Sequence, residues 1–342
     1  MSMRLSVLDQ SPVAEGDTGA RALANTVDLA RHAEALGYER YWLAEHHATP
    51  ALACAAPEVL IAAVAQNTET IRVGSGGVML PHYSPLKVAE VFSTLAGLHP
   101  NRIDLGLGRA PGTDPMTMLA LQRDRRHAAP DDFPEQLTEL LALIEDRVPP
   151  DHILARHAKL LPGRPERPEP WLLGSSPQSG VWAAELGLPY AFASHFAPAA
   201  LLPAIAMYRR CFKPSRQLDR PYVMAGVNVV AADTDEEARR LFSSAQQAFA
   251  NAVRGTRGQL PPPVEDIDRY WSPAEKAQVS AMLACSFVGA PRSVLHGLAS
   301  FADRTGVDEL IVAGAIYDHE ARLRSYEILA DVAFSSRDIS TS

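Results

Sequence analysis

Three short segments of the chain carry side chains that could bind a ligand or move a proton. The first, Glu45-His46-His47, places a carboxylate beside two imidazoles, which titrate near neutral pH and suit general acid–base catalysis. Neighbouring strand residues point to opposite faces, so these histidines are a poor chelating pair and we predict no metal site. The alternative is structural, with Glu45 holding one or both histidines at the mouth of a cleft. The segment alone does not decide between the two.

The second segment, Gly74-Ser75-Gly76-Gly77, removes nearly all side-chain bulk near the end of an apolar strand. Glycine inside a strand often marks a place where a ligand approaches the backbone closely. It also marks a bulge, or tight packing against a neighbouring element. The sequence is compatible with both interpretations.

The third segment, Gly174-Ser175-Ser176-Pro177-Gln178-Ser179-Gly180, stands between a predicted strand and a predicted helix. Backbone N–H groups and hydroxyls at the start of a helix form a ready anion site. Simple capping by Ser175 or Ser176, with Pro177 in the first turn, is the alternative. Capping alone would need neither three serines nor two glycines. Because Arg109 ends a neighbouring strand, we predict a phosphate site.

The elements that position these segments alternate between short strands and longer helices, which is typical of a parallel α/β sheet. The predicted strands are Arg4–Asp9, Arg40–His46, Ile71–Leu80, Arg102–Gly108, Pro170–Gly174, Tyr190–Ser194, Tyr222–Ala231 and Glu309–Ala313. The predicted helices are Ala20–Leu36, Pro57–Gln66, Leu86–Leu98, Glu135–Asp146, Gln178–Leu186, Ala197–Tyr208, Glu236–Val253 and Arg292–Thr305. This alternation over 342 residues predicts a (β/α)8 TIM barrel, in which the site lies at the carboxyl ends of the strands.

An open doubly wound sheet is the main alternative, because Gly106–Gly112 resembles a dinucleotide-binding loop. Its spacing and its place after the fourth strand argue against that function. Residues 148–170, before the fifth strand, and 254–276, between the seventh and the eighth, are predicted insertions. The chain, 1–342, is predicted to be a single domain whose polar tail at 335–342 is frayed.

Composition narrows the classes of function. Lys and Arg number 32 against 40 Asp and Glu, and this net charge of −8 disfavours nucleic acid and acidic membranes as partners. The three widely spaced cysteines contain no C-x-x-C pair, which excludes a disulfide framework or a thiolate zinc site. The chain shows neither a secretory signal nor an apolar stretch long enough to span a bilayer. We predict a reduced, cytoplasmic protein.

Taken in order, these segments resemble the luciferase-like flavin monooxygenases, the barrel superfamily that includes bacterial luciferase. The resemblance runs from about Leu5 to Val332 and is closest to the stand-alone oxidoreductases of that family. Each motif is modest alone, and their order and spacing together are specific. The motifs are Leu8-Asp9-Gln10-Ser11-Pro12, Tyr41–His47, Val73–Pro81, Arg102–Arg109, Ser175–Ser179 and Trp182–Pro189.

The resemblance implies roles for matching positions around the flavin ring. His46 matches the active-site acid/base. Ala44 and Gly76-Gly77 match the wall behind the isoalloxazine, where relatives carry a non-prolyl cis peptide. Residues 254–276 correspond to a mobile lid.

Further matches concern the flavin phosphate and the substrate. Arg109 matches the arginine that reaches the phosphate, and Ser176 and Ser179 match its hydroxyl and amide donors. Ser194 and His195 match positions near the ring and the substrate.

The implied activity is that of a two-component monooxygenase. Reduced FMN would come from a separate NAD(P)H:flavin reductase, since the sequence shows no second nucleotide-binding unit. Oxygen would enter a small organic substrate through a C4a-peroxyflavin, the protein supplying orientation and shelter from water. His46 would manage protons, supported by Asp9, Glu45 or His195.

Two other functions fit the same sequence. An F420-dependent oxidoreductase would transfer hydride without oxygen in the same cleft. A non-catalytic flavin-binding protein, or a partner subunit, would keep the fold without the reaction. Binding of the two cofactors separates these possibilities.

Relatives also commonly dimerise, which here implies contact through Pro57–Gln66 and Leu86–Leu98. The plainer explanation of their small and apolar faces is packing on the barrel. Two positions depart from the family pattern. Gly108 stands where the luminescent α subunit has a reactive cysteine, and no residue of Arg123–Arg126 is an unambiguous second phosphate arginine.

Overall fold

A computed structural model describes residues 3–109, 114–122 and 132–334 of the chain. Nine parallel strands in this part of the chain form one sheet. The strands are β1 Leu5–Asp9, β2 Arg40–Leu43, β3 Arg72–Met79, β4 Ile103–Gly108, β5 Glu169–Gly174, β6 Tyr190–Phe192, β7 Val223–Ala231, β8 Ser286–Gly289 and β9 Glu309–Ala313. Strands β1 to β7 and β9 close into an eight-stranded barrel, because β7 pairs with both β6 and β9.

The helices surround this barrel. They are α1 Gly19–Ala35, α2 Pro57–Gln66, α3 Pro85–Leu98, α4 Pro115–Leu121, α5 Phe133–Glu145, α6 Ala155–Ala158, α7 Pro177–Leu186, α8 Leu201–Cys211, α9 Asp235–Arg254, α10 Pro273–Met282, α11 Pro291–Thr305 and α12 His319–Phe334. The first shows why such segments are helical: Thr18 accepts a hydrogen bond from the Arg21 amide, and Gly37, at a φ of 85°, follows its end. No helix of the described ranges is long and apolar enough to cross a membrane.

The barrel interior contains an apolar layer and, at its amino end, a layer of charged side chains. The apolar layer consists of Leu8, Trp42, Ala44, Trp171, Ala191, Met224 and Ile311. Below it, at the amino ends of the strands, buried Asp104 accepts hydrogen bonds from Arg40 at 2.8 Å, Arg72 at 2.9 Å and the Trp42 indole at 2.9 Å. Because this end of the barrel is filled by ion pairs, a ligand site must lie at the opposite, carboxyl end.

The TIM-barrel prediction is confirmed, with three differences in detail. Strand β8 was not predicted; it pairs with residues 228–231 of β7, outside the closed barrel. Strand β2 ends at Leu43 and β6 at Phe192, because the chain then turns away from its partners into the loops that carry the histidines. Helices α4, α6, α10 and α12 were also not predicted. The predicted tail at 335–342 lies outside the described residues.

The two predicted insertions contain more ordered contacts than the sequence suggested. Residues 148–170 include α6, and Arg164 donates hydrogen bonds to carbonyls of residues 143 and 158. In residues 254–276, the amide of Leu260 donates to the carbonyl of Val13 at 2.8 Å, and the Gln259 side chain donates to the carbonyl of Asp17 at 2.9 Å. This second insertion is therefore tied to the loop after β1, beside the barrel mouth.

Candidate active site

Glu45 anchors the loop that follows β2. It is buried, and its carboxylate accepts hydrogen bonds from the Met79 amide at 3.0 Å, the Tyr83 hydroxyl at 2.7 Å and His47 Nε2 at 2.7 Å. These partners join the end of β2 to the end of β3. The structural interpretation of the Glu45-His46-His47 segment is thus right for His47, which the carboxylate holds.

His46 lies outside that arrangement. Its backbone N–H donates to the carbonyl of Cys54 at 2.9 Å, while its ring buries Nδ1 without a hydrogen-bond partner. Burial lowers the pKa of His46 to about 4, and the nearby positive charges of His47 and Arg257 add to the effect. The ring is therefore neutral at physiological pH and able to exchange a proton with a bound ligand.

His195 is the second unpaired imidazole of the site. It follows β6, is only 8% exposed and packs edge-on against Phe196 with ring centres 4.8 Å apart. Its Nδ1 is buried without a hydrogen-bond partner. Burial lowers the pKa of His195 to about 4, and His46, when protonated, would act in the same direction, so the His195 ring lies within electrostatic reach of His46. The fold thus brings together two histidines far apart in sequence.

The glycine segment of β3 forms a tightly packed wall. The pairing of β3 with β4 shifts register between Ser75 and Val78, and the Gly76-Gly77 peptide is cis. A Cβ at Gly76 would lie 2.6 Å from a Leu8 methyl group, and one at Gly77 would lie 2.8 Å from the carbonyl oxygen of Gly106. The bulge interpretation is therefore confirmed, and approach of a ligand to this wall stays a prediction. Ala44, buried beside it, donates its N–H to the carbonyl of Asp9 at 3.0 Å.

The serine-rich segment opens α7. Ser176 is the N-cap residue by position, but its side chain makes no capping hydrogen bond, so simple capping is not what the structure shows. Ser175, Ser176 and Gln178 are exposed. The Ser179 hydroxyl donates to the Ser176 carbonyl at 2.7 Å and contacts the Tyr190 hydroxyl at 2.9 Å. Exposed hydroxyls and an uncapped first turn leave this helix end suited to an anion.

Arg109 lies beside the same helix. It follows β4, and its guanidinium stacks over the ring of Trp182 with 5.7 Å to the ring centre. Since Trp182 belongs to α7, the arginine and the serine-rich segment share one side of the barrel mouth. Residues Arg123–Arg126, where a second phosphate arginine was sought, lie outside the described residues.

Asp9 and Glu45, which were predicted to support His46, both form hydrogen bonds to other residues of the chain. The carboxylate of Asp9 pairs with Arg322 at 2.7 Å and accepts from the Tyr41 hydroxyl at 2.6 Å, so it faces the helix layer and not the mouth. The carboxylate of Glu45 is bound by Met79, Tyr83 and His47. The Ser194 hydroxyl donates to the carbonyl of Gly226 at 2.6 Å and so joins β6 to β7. Over the described ranges, no three His, Cys, Asp or Glu side chains are grouped to hold a metal ion.

The sequence reasoning missed Gly226 and Asn228, which contact the segment around His195. A signal was present, because a glycine and an asparagine interrupt the otherwise apolar β7. Small and polar residues in a buried strand indicate close approach or a specific hydrogen bond.

Comparison with known proteins shows the family and supports the fold. A family model described as luciferase-like monooxygenase matches residues 3–309, and the chain therefore belongs to that family. It is similar to the luciferase-like monooxygenase of Escherichia coli K12, with 49% identity over 333 residues and 97% of each chain covered. It is also similar to the N-acetyl-S-alkylcysteine monooxygenase of Bacillus subtilis 168, with 34% identity covering 98% of this chain and 99% of that one.

Solved structures confirm the barrel. The crystal structure of apo-MsnO8 superposes with a TM-score of 0.88 at 42% identity, covering 97% of this chain and 98% of that chain. More distant barrels share the fold alone. One is the oxygenating constituent of 3,6-diketocamphane monooxygenase from Pseudomonas putida, in complex with FMN, at 20% identity and a TM-score of 0.73. Another is an F420-dependent secondary alcohol dehydrogenase, at 14% identity and 0.66.

Proposed function

We propose that this chain is a two-component monooxygenase that accepts reduced FMN from a separate NAD(P)H:flavin reductase and uses O2 to oxygenate a small organic substrate. The observation that carries the proposal is the pair of buried, unpaired imidazoles, His46 and His195, at the carboxyl end of a barrel of this family. The proposal includes a cytoplasmic location, where NAD(P)H is available to the reductase.

The described residues fit a flavin at this end of the barrel. The uncapped start of α7 and the guanidinium of Arg109 are suited to the phosphate, with Ser175, Ser176, Gln178 and the Ser179 amide as donors. Ala44 and Gly76-Gly77 would form the wall behind the ring. A larger residue at Gly76 or Gly77 would displace Leu8 or the backbone of Gly106, and so disturb this wall.

Reduced FMN, when bound, supplies the electrons that activate oxygen for insertion into the substrate. In this chain, His46 would hold or move the proton that this chemistry requires, through its uncharged ring. His195 would lie beside it and against the substrate. Glu45 would keep the loop after β2 in place, and residues 254–276 would limit the access of water from the side of β1.

Anaerobic titration tests the proposal against its main alternative. The purified protein is titrated with reduced FMN and, separately, with reduced F420, and then mixed with oxygenated buffer. Tight binding of reduced FMN and a long-lived near-ultraviolet absorption band after mixing are expected. Binding of F420 alone, with no such band, would assign the chain to hydride transfer. If neither cofactor binds, the function fails although the fold stands.

Loss of the Arg109 charge is expected to weaken binding of FMN but not of riboflavin. In Arg109→Gln the side chain can still pack on Trp182, while the charge-assisted bond to phosphate, worth about 1.5–3 kcal/mol, is lost. The FMN dissociation constant should therefore rise about 10- to 100-fold. Fluorescence quenching with both flavins measures this, and Arg269→Gln, at an exposed position, is the control. An equal loss for riboflavin would show that Arg109 acts structurally.

A homodimer through α2 and α3 also belongs to the proposal. On these helices Ile61, Val64 and Phe92 pack on the barrel, as the plainer explanation expects. Val59, near the start of α2, and Leu98, the last residue of α3, are large apolar side chains that remain 64% and 66% exposed.

Light scattering during size exclusion tests the dimer. The wild type should show twice the chain mass of 37.0 kDa, and Val59→Glu should shift it to the monomer mass, because a charge would be buried at the contact. Leu202→Glu, a change at a 50% exposed leucine on α8, should leave the mass unchanged. A monomeric wild type would refute the dimer and would leave the proposed enzymatic activity unaffected.

A further inference from the structure

The His195 ring occupies a space that β7 leaves open for it. Gly226 carries no side chain, and a Cβ added there would lie 3.2 Å from His195 Cε1 and overlap Nδ1 outright. Met224, two residues earlier on the same face of β7, belongs to the apolar layer inside the barrel. The ring therefore lies directly above that layer and forms the floor of the barrel mouth.

Asn228 fixes the backbone that carries this ring. Its amide nitrogen Nδ2 donates to the carbonyl of His195 at 2.6 Å and to the Ser286 hydroxyl at 3.2 Å. Asn228 is the residue of β7 that pairs with both β8 and β9, so the sheet divides at this point. Because Asn228 lies where three strands meet, its position is fixed, and its hydrogen bond restricts the backbone of the loop after β6. The bond from Ser194 to the carbonyl of Gly226 adds a second tie between the same segments.

Nδ1 of His195 is buried without a hydrogen-bond partner, which is unusual for a buried polar group. The side chain is more than nine-tenths buried, yet Nδ1 has no partner among the described residues. A structural histidine would be expected to hold at least one internal hydrogen bond. Here Nδ1 instead lies against Gly226, so the position of the ring is set by the space at Gly226 and by the hydrogen bond from Asn228 to the His195 carbonyl.

From these contacts we infer that Gly226 and Asn228 are positioning residues, which seat the His195 ring beside His46 as the floor on which the flavin or the substrate rests. The inference deepens the proposed function and rests on it for the identity of the ligand. The seating itself depends only on contacts within the chain. Gly226 provides the space, and Asn228 holds the backbone.

The pKa of His195, measured by NMR in the ligand-free protein, tests the seating. Gly226→Ala pushes the ring out of its space, and Asn228→Leu removes both side-chain hydrogen bonds at similar size. Each change should move the ring toward water and raise the pKa of His195 by about one unit or more, toward its ordinary value. The His195→Gln spectrum identifies the resonance. Gly19→Ala, where a Cβ would meet only Ala53 at an ordinary 3.8 Å, is the matched control.

A double-mutant comparison separates positioning from general loss of structure. Reduced FMN binding and the near-ultraviolet band after oxygen mixing are measured for each variant alone and in the His195→Gln background. If Gly226 and Asn228 act through His195, their substitution should have little further effect once that ring is absent. Ser286→Ala, which removes only the other partner of Asn228, should resemble the wild type. Undiminished effects in the His195→Gln background would overturn the inference.

The outcomes also distinguish this inference from the proposed function. If neither folded variant changes the pKa of His195, the seating is wrong whatever the protein binds. If the pKa rises but the wild type binds no reduced FMN, the seating holds and the proposed function fails. Should Gly226→Ala not fold, Asn228→Leu carries the test alone.

Discussion

His46→Ala is expected to leave binding of reduced FMN close to the wild-type value while the yield of the oxygen reaction falls by about 10²–10⁴-fold, the range for a lost general acid–base group. The physical reason is that different residues are proposed to bind the flavin phosphate and to transfer the proton. Arg109 and the start of α7, which we propose bind the phosphate, lie on different loops from His46. His46 contributes no charge to binding at neutral pH, because burial lowers its pKa to about 4.

Rapid mixing of the reduced FMN complex with oxygen measures this effect without a known substrate, through the yield and lifetime of the near-ultraviolet band. His46→Gln keeps hydrogen-bonding capacity but cannot titrate, and it should fail nearly as badly as alanine. His296→Ala, an exposed histidine on α11, should match the wild type. An unchanged band in His46→Ala would remove His46 from the proton chemistry. A parallel collapse of FMN binding would show that its role is structural.

Much of the barrel could be predicted because local patterns specify it. Strands buried on both faces are short apolar runs, and the helices between them begin and end at residues such as Thr18 and Gly37. Strand β8 escaped prediction because it is four residues long and only partly buried, so its pairing with β7 depends on tertiary contact. The same holds for α6, whose four residues carry no helical period of their own.

The site was predicted less completely than the fold, for a physical reason. Sequence shows which groups can titrate but not which neighbours already use them. Asp9 and Glu45 were equal candidates to assist His46, and the structure commits one to Arg322 and the other to the loop after β2. Gly226 was also not predicted. It matters because it lacks a side chain where the folded chain places the ring of His195, and the sequence does not show that these two residues meet.

Asp9→Asn is expected to lower the free energy of unfolding by about 3–5 kcal/mol, because it leaves the guanidinium of Arg322 buried without its counter-charge. Both side chains are almost fully buried, 2.7 Å apart, and Tyr41 donates to the same carboxylate. Urea unfolding at neutral pH measures the change. Asp233→Asn removes a partner of exposed Arg324 and, as the control, should cost less than about 1 kcal/mol.

The pH dependence of that difference tests its electrostatic origin. Burial alone would raise the pKa of Asp9, but the charge of Arg322 and the hydrogen bond from Tyr41 outweigh it, and the pKa lies below its ordinary value of 3.8. The stabilisation is therefore fully present above the unfolded pKa and is lost as pH falls through the folded one. The gap between wild type and Asp9→Asn should stay constant from about pH 7 to pH 5 and shrink below about pH 4. His46 and His195 titrate in both proteins, so their contribution cancels. A gap that widened in acid would mean that Asp9 is held by something other than its ion pair.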